Sequence, residues 1–404
     1  MFKKPYTLGE FNSPKNCFVE NYNKKGRSTM KKKLSFLLAV VMAFTFAACS
    51  SGGSGNESTT NTETPTETTQ EETKEETTDA AASQDTSDGT DYTQGDKITI
   101  KIAHVSQDGV PIDVASKKLG DMLNEKTGGR ITVNVFPASA LGNNTELLEQ
   151  LQMGTLEMAI SSVAFLGAFT ETTKLLDLPY LFQSNEAAEE VLDGDVGQTI
   201  FENLQPAGFE GMTWLATGWR HVTANKEIHK PEDMKGLKIR VMENQMHIDH
   251  FNALGASAVP MAFSELYTAL QNGTMDAQEN PFANIDGNRL YEVQKYIIKT
   301  GHIYDTSPLL ASKTWWDSLS ESDQKLIREC VNEMVTYERE LSASNEAELE
   351  EKIGNNGTNV VITLTDEERQ AFKDAAQPVY DKYGPEIGED LISQVNEINQ
   401  KYVK

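Results

Sequence analysis

Lys97-Ile98-Thr99-Ile100-Lys101-Ile102 alternates polar and apolar side chains, the period-two signature of a strand with one buried face. Downstream, Ala115, Leu119, Met122 and Leu123 recur at helical spacing. Thr127-Gly128-Gly129-Arg130 supplies a turn, and Ile131-Thr132-Val133-Asn134-Val135-Phe136 reads as a second strand. Glu146 to Met153 reads as a helix that Gly154 stops, and Leu156 to Ser161 as a third strand. Strands alternating with helices imply βαβ units and a mostly parallel sheet. Met212 to Leu215 and Leu237 to Val241 continue the strand pattern. Phe263, Leu266, Tyr267 and Leu270 form a helical stripe before Asn272-Gly273, and a short strand follows near Asp276-Ala277-Gln278. Trp315, Trp316 and Leu319 lead into a long helix from Asp323 to about Ile353, with Ile327, Val331, Met334 and Val335 spaced for burial. Asp366 to Lys404 reads as two more helices, and no repeat of fixed period is present. The expected architecture is α/β, with two lobes and a helical C-terminal part.

Toward the N-terminus the periodicity stops. Gly52 to about Asp96 is rich in Thr, Glu, Ser and Gly, and almost no residue there can join a core. It is expected to be an extended, disordered acidic linker. Before it, Lys31, Lys32 and Lys33 form a basic cluster ahead of an apolar run from Leu34 to Ala48. That run is short for a membrane span and reads as a secretory signal. It ends in Phe46-Ala47-Ala48-Cys49, small residues before a cysteine that resemble a bacterial lipobox, with Phe46 in place of the usual Leu. The resemblance implies lipidation of Cys49, with a diacylglyceryl group as membrane anchor. Residues 1–29 lack signal character, so Met30 is the expected start of a leader ending at residue 48, followed by a tether over residues 49–96.

The 404 residues carry 36 Lys+Arg against 61 Asp+Glu, a net charge of -25. So acidic a surface argues against nucleic acid as a partner and against anionic membrane faces as a general one. Three widely spaced cysteines, Cys17, Cys49 and Cys330, give neither a disulfide framework nor a zinc site. There is no P-loop, GxSxG, HExxH or GxGxxG after a strand, so no nucleophile or metal cluster for an enzyme is evident. His247 and His250 have i,i+3 spacing, but without a third ligand they read as solvated helical surface. Cys330 lies in an apolar stripe and reads as a small core residue. The acidic run Glu346 to Glu351 reads as a solvated helix face.

Two arginines near strand ends are more informative: Arg220 in Thr217-Gly218-Trp219-Arg220-His221, and Arg240 in Lys238-Ile239-Arg240-Val241. A guanidinium presents a planar fork that matches a carboxylate. The carboxylate is either a ligand's or one of the chain's own.

Several segments resemble the solute-binding proteins of tripartite ATP-independent periplasmic (TRAP) transporters, the DctP type. They are Asp177-Leu178-Pro179-Tyr180-Leu181-Phe182, Asp233-Met234-Lys235-Gly236-Leu237-Lys238-Ile239-Arg240-Val241, Gly255-Ala256, and the run Pro260 to Gly273. Asp276-Ala277-Gln278-Glu279-Asn280-Pro281 and Tyr291 to Tyr296 follow in order, with Ala277 where that family usually has Gly. The resemblance implies a two-lobed, type II periplasmic-binding-protein-like fold that closes on an organic acid, without catalysis; no cofactor and no metal-ligating residue is expected. Residues 97–219 with about 309–350 would form one lobe, and 220–308 with about 351–404 the other. It further implies Arg240 as the carboxylate anchor, Arg220 as a second cationic contact, and Asn280 and Phe263 as cleft lining. His104, Asn143, Asn144 and Ser162 would meet the ligand from the other lobe. Trp219 is open to stacking on a ligand ring or to packing between the lobes. A locally positive cleft would have to act within a Debye length of ~8 Å against the overall charge.

The implied partner is the sodium-coupled TRAP permease. A monomeric receptor on the outer face of the cytoplasmic membrane, or in a periplasm, is the expected form. The alternatives are a sensor lipoprotein working through a membrane kinase, or an enzyme on the same scaffold. Sugar acids, C4-dicarboxylates, 2-oxo acids and sialic acid all fit one carboxylate-binding arginine.

Overall fold

The computed structural model describes residues 90–402, so the leader, Cys17, Cys49 and most of the expected tether lie outside the described residues. Among the described residues, eleven strands make two sheets. They are β1 (Ile98–His104), β2 (Ile131–Phe136), β3 (Met158–Ile160), β4 (Phe209–Trp219), β5 (His221–Ala224), β6 (Lys238–Val241), β7 (Ser257–Pro260), β8 (Ala277–Asn280), β9 (Tyr296–Lys299), β10 (Tyr304–Ser312) and β11 (Val360–Thr363). The first sheet has the order β2-β1-β3-β10-β4, and the second β11-β9-β5-β8-β6-β7. β1 pairs in parallel with β2 and β3, as the βαβ pattern predicts, while β10 runs antiparallel to β3 and β4.

Both sheets are covered on both faces. Along β1, Ile100 and Ile102 enter one core while Ala103 enters another. Along β9, Ile298 and Ile297 divide in the same way between the two cores of the second sheet. Each such fully buried aliphatic side chain stabilises the fold by about 2 kcal/mol relative to exposure. The helix Pro111–Lys126 starts with proline, whose missing N–H would find no helical partner there, and buries Ile112, Ala115, Leu119 and Leu123. Gly120 lets this helix lie close to Val133 of β2; a Cβ there would stand 3.0 Å from the Val133 Cβ.

The helix Glu321–Gly354 is capped by Ser320, whose hydroxyl accepts from the Asp323 N–H. Its first half packs on β4 and on the helix Pro111–Lys126. Its second half meets the helix Phe282–Gly287 and β11. One helix thus spans both lobes.

The lobe boundaries differ from expectation in three places. The return to the first sheet comes at β10, from residue 304 rather than 309, because Tyr304 to Ser312 pair along β4. The C-terminal part holds three helices, Asp366–Ala375, Gln377–Ile387 and Glu389–Gln400. Val379, Tyr383, Ile387 and Val395 pack into a core of the first lobe, so the segment 351–404 does not belong wholly to the second. At the other end, Arg130 donates to the carbonyls of Tyr92 and Asp96, which ties the last residues of the expected tether to the folded body. No helix among the described residues is long and apolar enough to cross a membrane.

Candidate functional site

The chain passes between the lobes twice in adjacent positions. Arg220 is the residue between β4 and β5, and its N–H donates to the carbonyl of Ile303, just before β10. β4 and β10 lose register beside Asp305. A bulge of this kind re-aims side chains next to sites. Here Thr217, Asp305 and Ser307 turn into a cleft between the lobes. From the second lobe Arg220, Arg240, Met242, Phe263, Asn280 and Asn284 complete it, and from the first lobe Ser106, Asn144, Ser162 and Phe165 face them.

The two arginines differ in their partners. Arg220 is buried, and its Nε donates to Glu279 Oε2 at 2.5 Å and its Nη2 to Glu279 Oε1 at 2.9 Å. Nη2 also reaches the Glu279 carbonyl and Asn280 Oδ1, while Nη1 is bonded to Asp305. Burial works against its charge, yet Glu279 and Asp305 hold its pKa above the ordinary value. Burial also opposes ionisation of Glu279, but Arg220 and His302 more than offset it and keep that carboxyl below the usual range. Asp305 is raised by burial, with Arg220 acting in the opposite sense.

Arg240 sits on β6 between Ile239 and Val241, which point into the core behind the sheet. The strand's alternation therefore turns the guanidinium to the other face. It is 1% exposed, and no carboxylate among the described residues touches it. Its Nε and Nη2 share the carbonyl of Met261 at 2.9 and 2.6 Å, and the Phe263 ring lies 5.7 Å from its centre. Nη1 is buried with no partner among the described residues. Burial, only partly countered by Glu279, lowers this arginine's pKa to about 10. A guanidinium in this condition demands an anion.

Six of the nine residues expected at the site line the cleft: Arg240, Arg220, Asn280, Phe263, Asn144 and Ser162. Three do not. Trp219 is turned away, its Nε1 donating to Asn185 Oδ1 at 2.6 Å and its ring edge-on to Tyr304, so it packs in the first lobe. His104 is buried 3.4 Å from Asp113, behind the cleft wall. Asn143 caps the helix Asn144–Gln152, accepting from the Glu146 N–H, which is the role its residue type predicts at a helix start.

The expectation for His247 and His250 fails. Both are 1% exposed: His247 bonds Asp177 at 3.1 Å, and His250 stacks on His302 at 5.7 Å, so the helix Gln245–Ala253 turns them inward. Burial pushes the His250 pKa well below its ordinary value. No cluster suited to a metal ion occurs among the described residues. Cys330 is a buried core residue. The sequence reading missed Asp305, Glu279, Asn284, Thr217 and Ser307. The signals available were an acid followed by two hydroxyl residues, Asp305-Thr306-Ser307, ahead of the apolar run Pro308 to Ala311, and the Asn280/Asn284 spacing at a helix start.

The sequence profile of the bacterial extracellular solute-binding proteins, family 7 (DctP), matches residues 102–386. The chain belongs to this family. Among family 7 relatives, the C4-dicarboxylate-binding periplasmic protein DctP of Vibrio cholerae is 33% identical over 76% of this chain and 92% of its own. The 2,3-diketo-L-gulonate-binding periplasmic protein YiaO of Escherichia coli is 33% identical over 70% and 87%. The crystal structure of the sugar acid binding protein of Advenella mimigardefordensis with galactonate superposes with a TM-score of 0.74 at 29% identity. That match covers 76% of this chain and 99% of the other. The two-lobed type II fold and the TRAP-type family expected from the sequence are those of its solved neighbours, among them a TRAP periplasmic solute binding protein of Shewanella oneidensis.

Proposed function

We propose that this family 7 protein is an extracytoplasmic receptor that captures an organic acid between its lobes and delivers it to a TRAP-type permease. Arg240 carries the reading. A fully buried guanidinium with an unpartnered Nη1 at a cleft wall has one missing counter-ion, and a ligand carboxylate supplies it. Because Nε and Nη2 are fixed by Met261, the outward edge of the fork is preorganised for two parallel hydrogen bonds. Lysine in its place keeps a charge but loses the fork, so Arg240→Lys weakens binding by ~2 kcal/mol or more. Closure of the lobes completes the contacts, and the ligand favours the closed state by its differential affinity. The chain acts as a receptor rather than an enzyme, and Cys49 carries the lipid that holds it at the membrane's outer face.

A thermal-shift screen of the full chain against a carboxylate panel, each hit repeated with Arg240→Ala, tests this. A ligand at about 100 times its dissociation constant stabilises by ~2.7 kcal/mol, and the variant removes that gain. A hit that survives the substitution removes Arg240 as the anchor. Partition of the wild-type chain, but not of Cys49→Ala, into detergent tests the anchor.

A further inference from the structure

Within the acid-receptor reading, we propose that the ligand is a polyhydroxylated monocarboxylate, a sugar acid, and that Asp305 selects it against dicarboxylates. The cleft offers a single anion seat. Its described lining holds two cations, Arg220 and Arg240. Arg220 is committed at every nitrogen: Nε and Nη2 to Glu279, Nη1 to Asp305, and Nη2 also to Asn280. Only Arg240 keeps an uncommitted nitrogen.

Away from Arg240 the wall changes character. Asp305 lines the cleft with one oxygen on Arg220 and the other accepting from the Ser162 hydroxyl at 3.1 Å. Beside it the Thr217 and Ser307 hydroxyls lie 2.9 Å apart. Asn144 faces them, with Asn280 and Asn284 on the second lobe. A carboxylate has lone pairs beyond those two bonds and only accepts hydrogen bonds while ionised. It therefore attracts ligand hydroxyls, through charge-assisted bonds, and repels a second ligand carboxylate. Hydroxyl and amide neighbours that both donate and accept suit a chain of alcohols on the same ligand. A site built to bond a ligand hydroxyl discriminates strongly against an analogue that lacks it, because its own polar groups are left unpaired.

Calorimetry on the full chain tests this with gluconate and galacturonate as sugar acids, succinate as a dicarboxylate and hexanoate as a bare monocarboxylate. At least one sugar acid is expected to bind about tenfold or more tighter than both succinate and hexanoate. Asp305→Asn is expected to reduce that preference at least about tenfold, mainly by weakening the sugar acid. Since this variant also removes a partner of Arg220, its thermal unfolding is measured alongside. Ser307→Ala, which leaves the ion pairs intact, should weaken the sugar acid more than it weakens succinate. Succinate binding as tightly as the sugar acids overturns the assignment while leaving the acid-receptor reading standing. A bare monocarboxylate binding as well as the sugar acids overturns it too. If no acid binds, the receptor reading falls and this inference falls with it.

Discussion

Glu338 lies on the buried stripe of the helix Glu321–Gly354, where one carboxyl oxygen accepts from the Ala216 N–H at 2.9 Å and the other has no partner among the described residues. Burial raises its pKa from 4.5 to about 8, so the folded protein holds it neutral at pH 7. A folded-state pKa above the unfolded one gives stability that is fully present below pH ~4.5 and is lost as pH rises through ~8. Every tenfold gain in proton affinity on folding is worth about 1.4 kcal/mol, so the effect reaches several kcal/mol. Urea unfolding from pH 5 to pH 9 should show wild type losing stability relative to Glu338→Gln; parallel curves would contradict a neutral Glu338. The other decisive residues differ in how readable they are. Arg240 stands between two apolar neighbours, and alternation alone turns it off the core face. The fate of Arg220 was hidden, because its partners Glu279 and Asp305 lie 59 and 85 residues further on. His247 and His250 were misread for a related reason: the residues that bury them come from other elements.

Among elements, those with a regular apolar period were the readable ones: β1, β2, the helix Pro111–Lys126 and most of Glu321–Gly354. β5, β9 and β10 were not. β5 and β9 are four residues long, and all of β5 and β10 is buried on both faces, so no alternation marks them. Element packing also yields a test of closure. The helix Phe282–Gly287 of the second lobe ends against the loop after β1. A Cβ on Gly287 would stand 3.2 Å from a Val110 methyl and 3.5 Å from Gln107. One step on, Gln107 donates to Asn288 across the lobes at 2.9 Å. Gly287→Val should wedge this contact and weaken ligand binding about tenfold, roughly 1.4 kcal/mol, while barely changing the unfolding midpoint without ligand. Calorimetry that finds unchanged affinity would mean closure does not run through this contact.

At the scale of the molecule, the acidity that excluded nucleic acid belongs to the outer surface, while the cleft balances Arg220 and Arg240 against Asp305 and the adjoining Glu279. The expected locally positive cleft reduces to one arginine, Arg240, that no carboxylate among the described residues touches. Sequence reading captured two lobes that exchange segments and missed the strands that make the exchange: β10 lies between β3 and β4, and β11 edges the second sheet. The first sheet cannot join β3 to β4 without residues 304–312, and the second gains its edge strand only with 360–363. A chain ending at residue 303 should therefore show no cooperative unfolding in urea; a sharp transition would make the first lobe autonomous. This interlock also sets a clock. At about 5–20 residues per second of synthesis, β11 follows β1 by roughly ten to fifty seconds. Until residue 312 is made neither half has a complete sheet, and the second still lacks its edge strand until residue 363, so the nascent polypeptide stays threadable through a narrow pore for most of that interval.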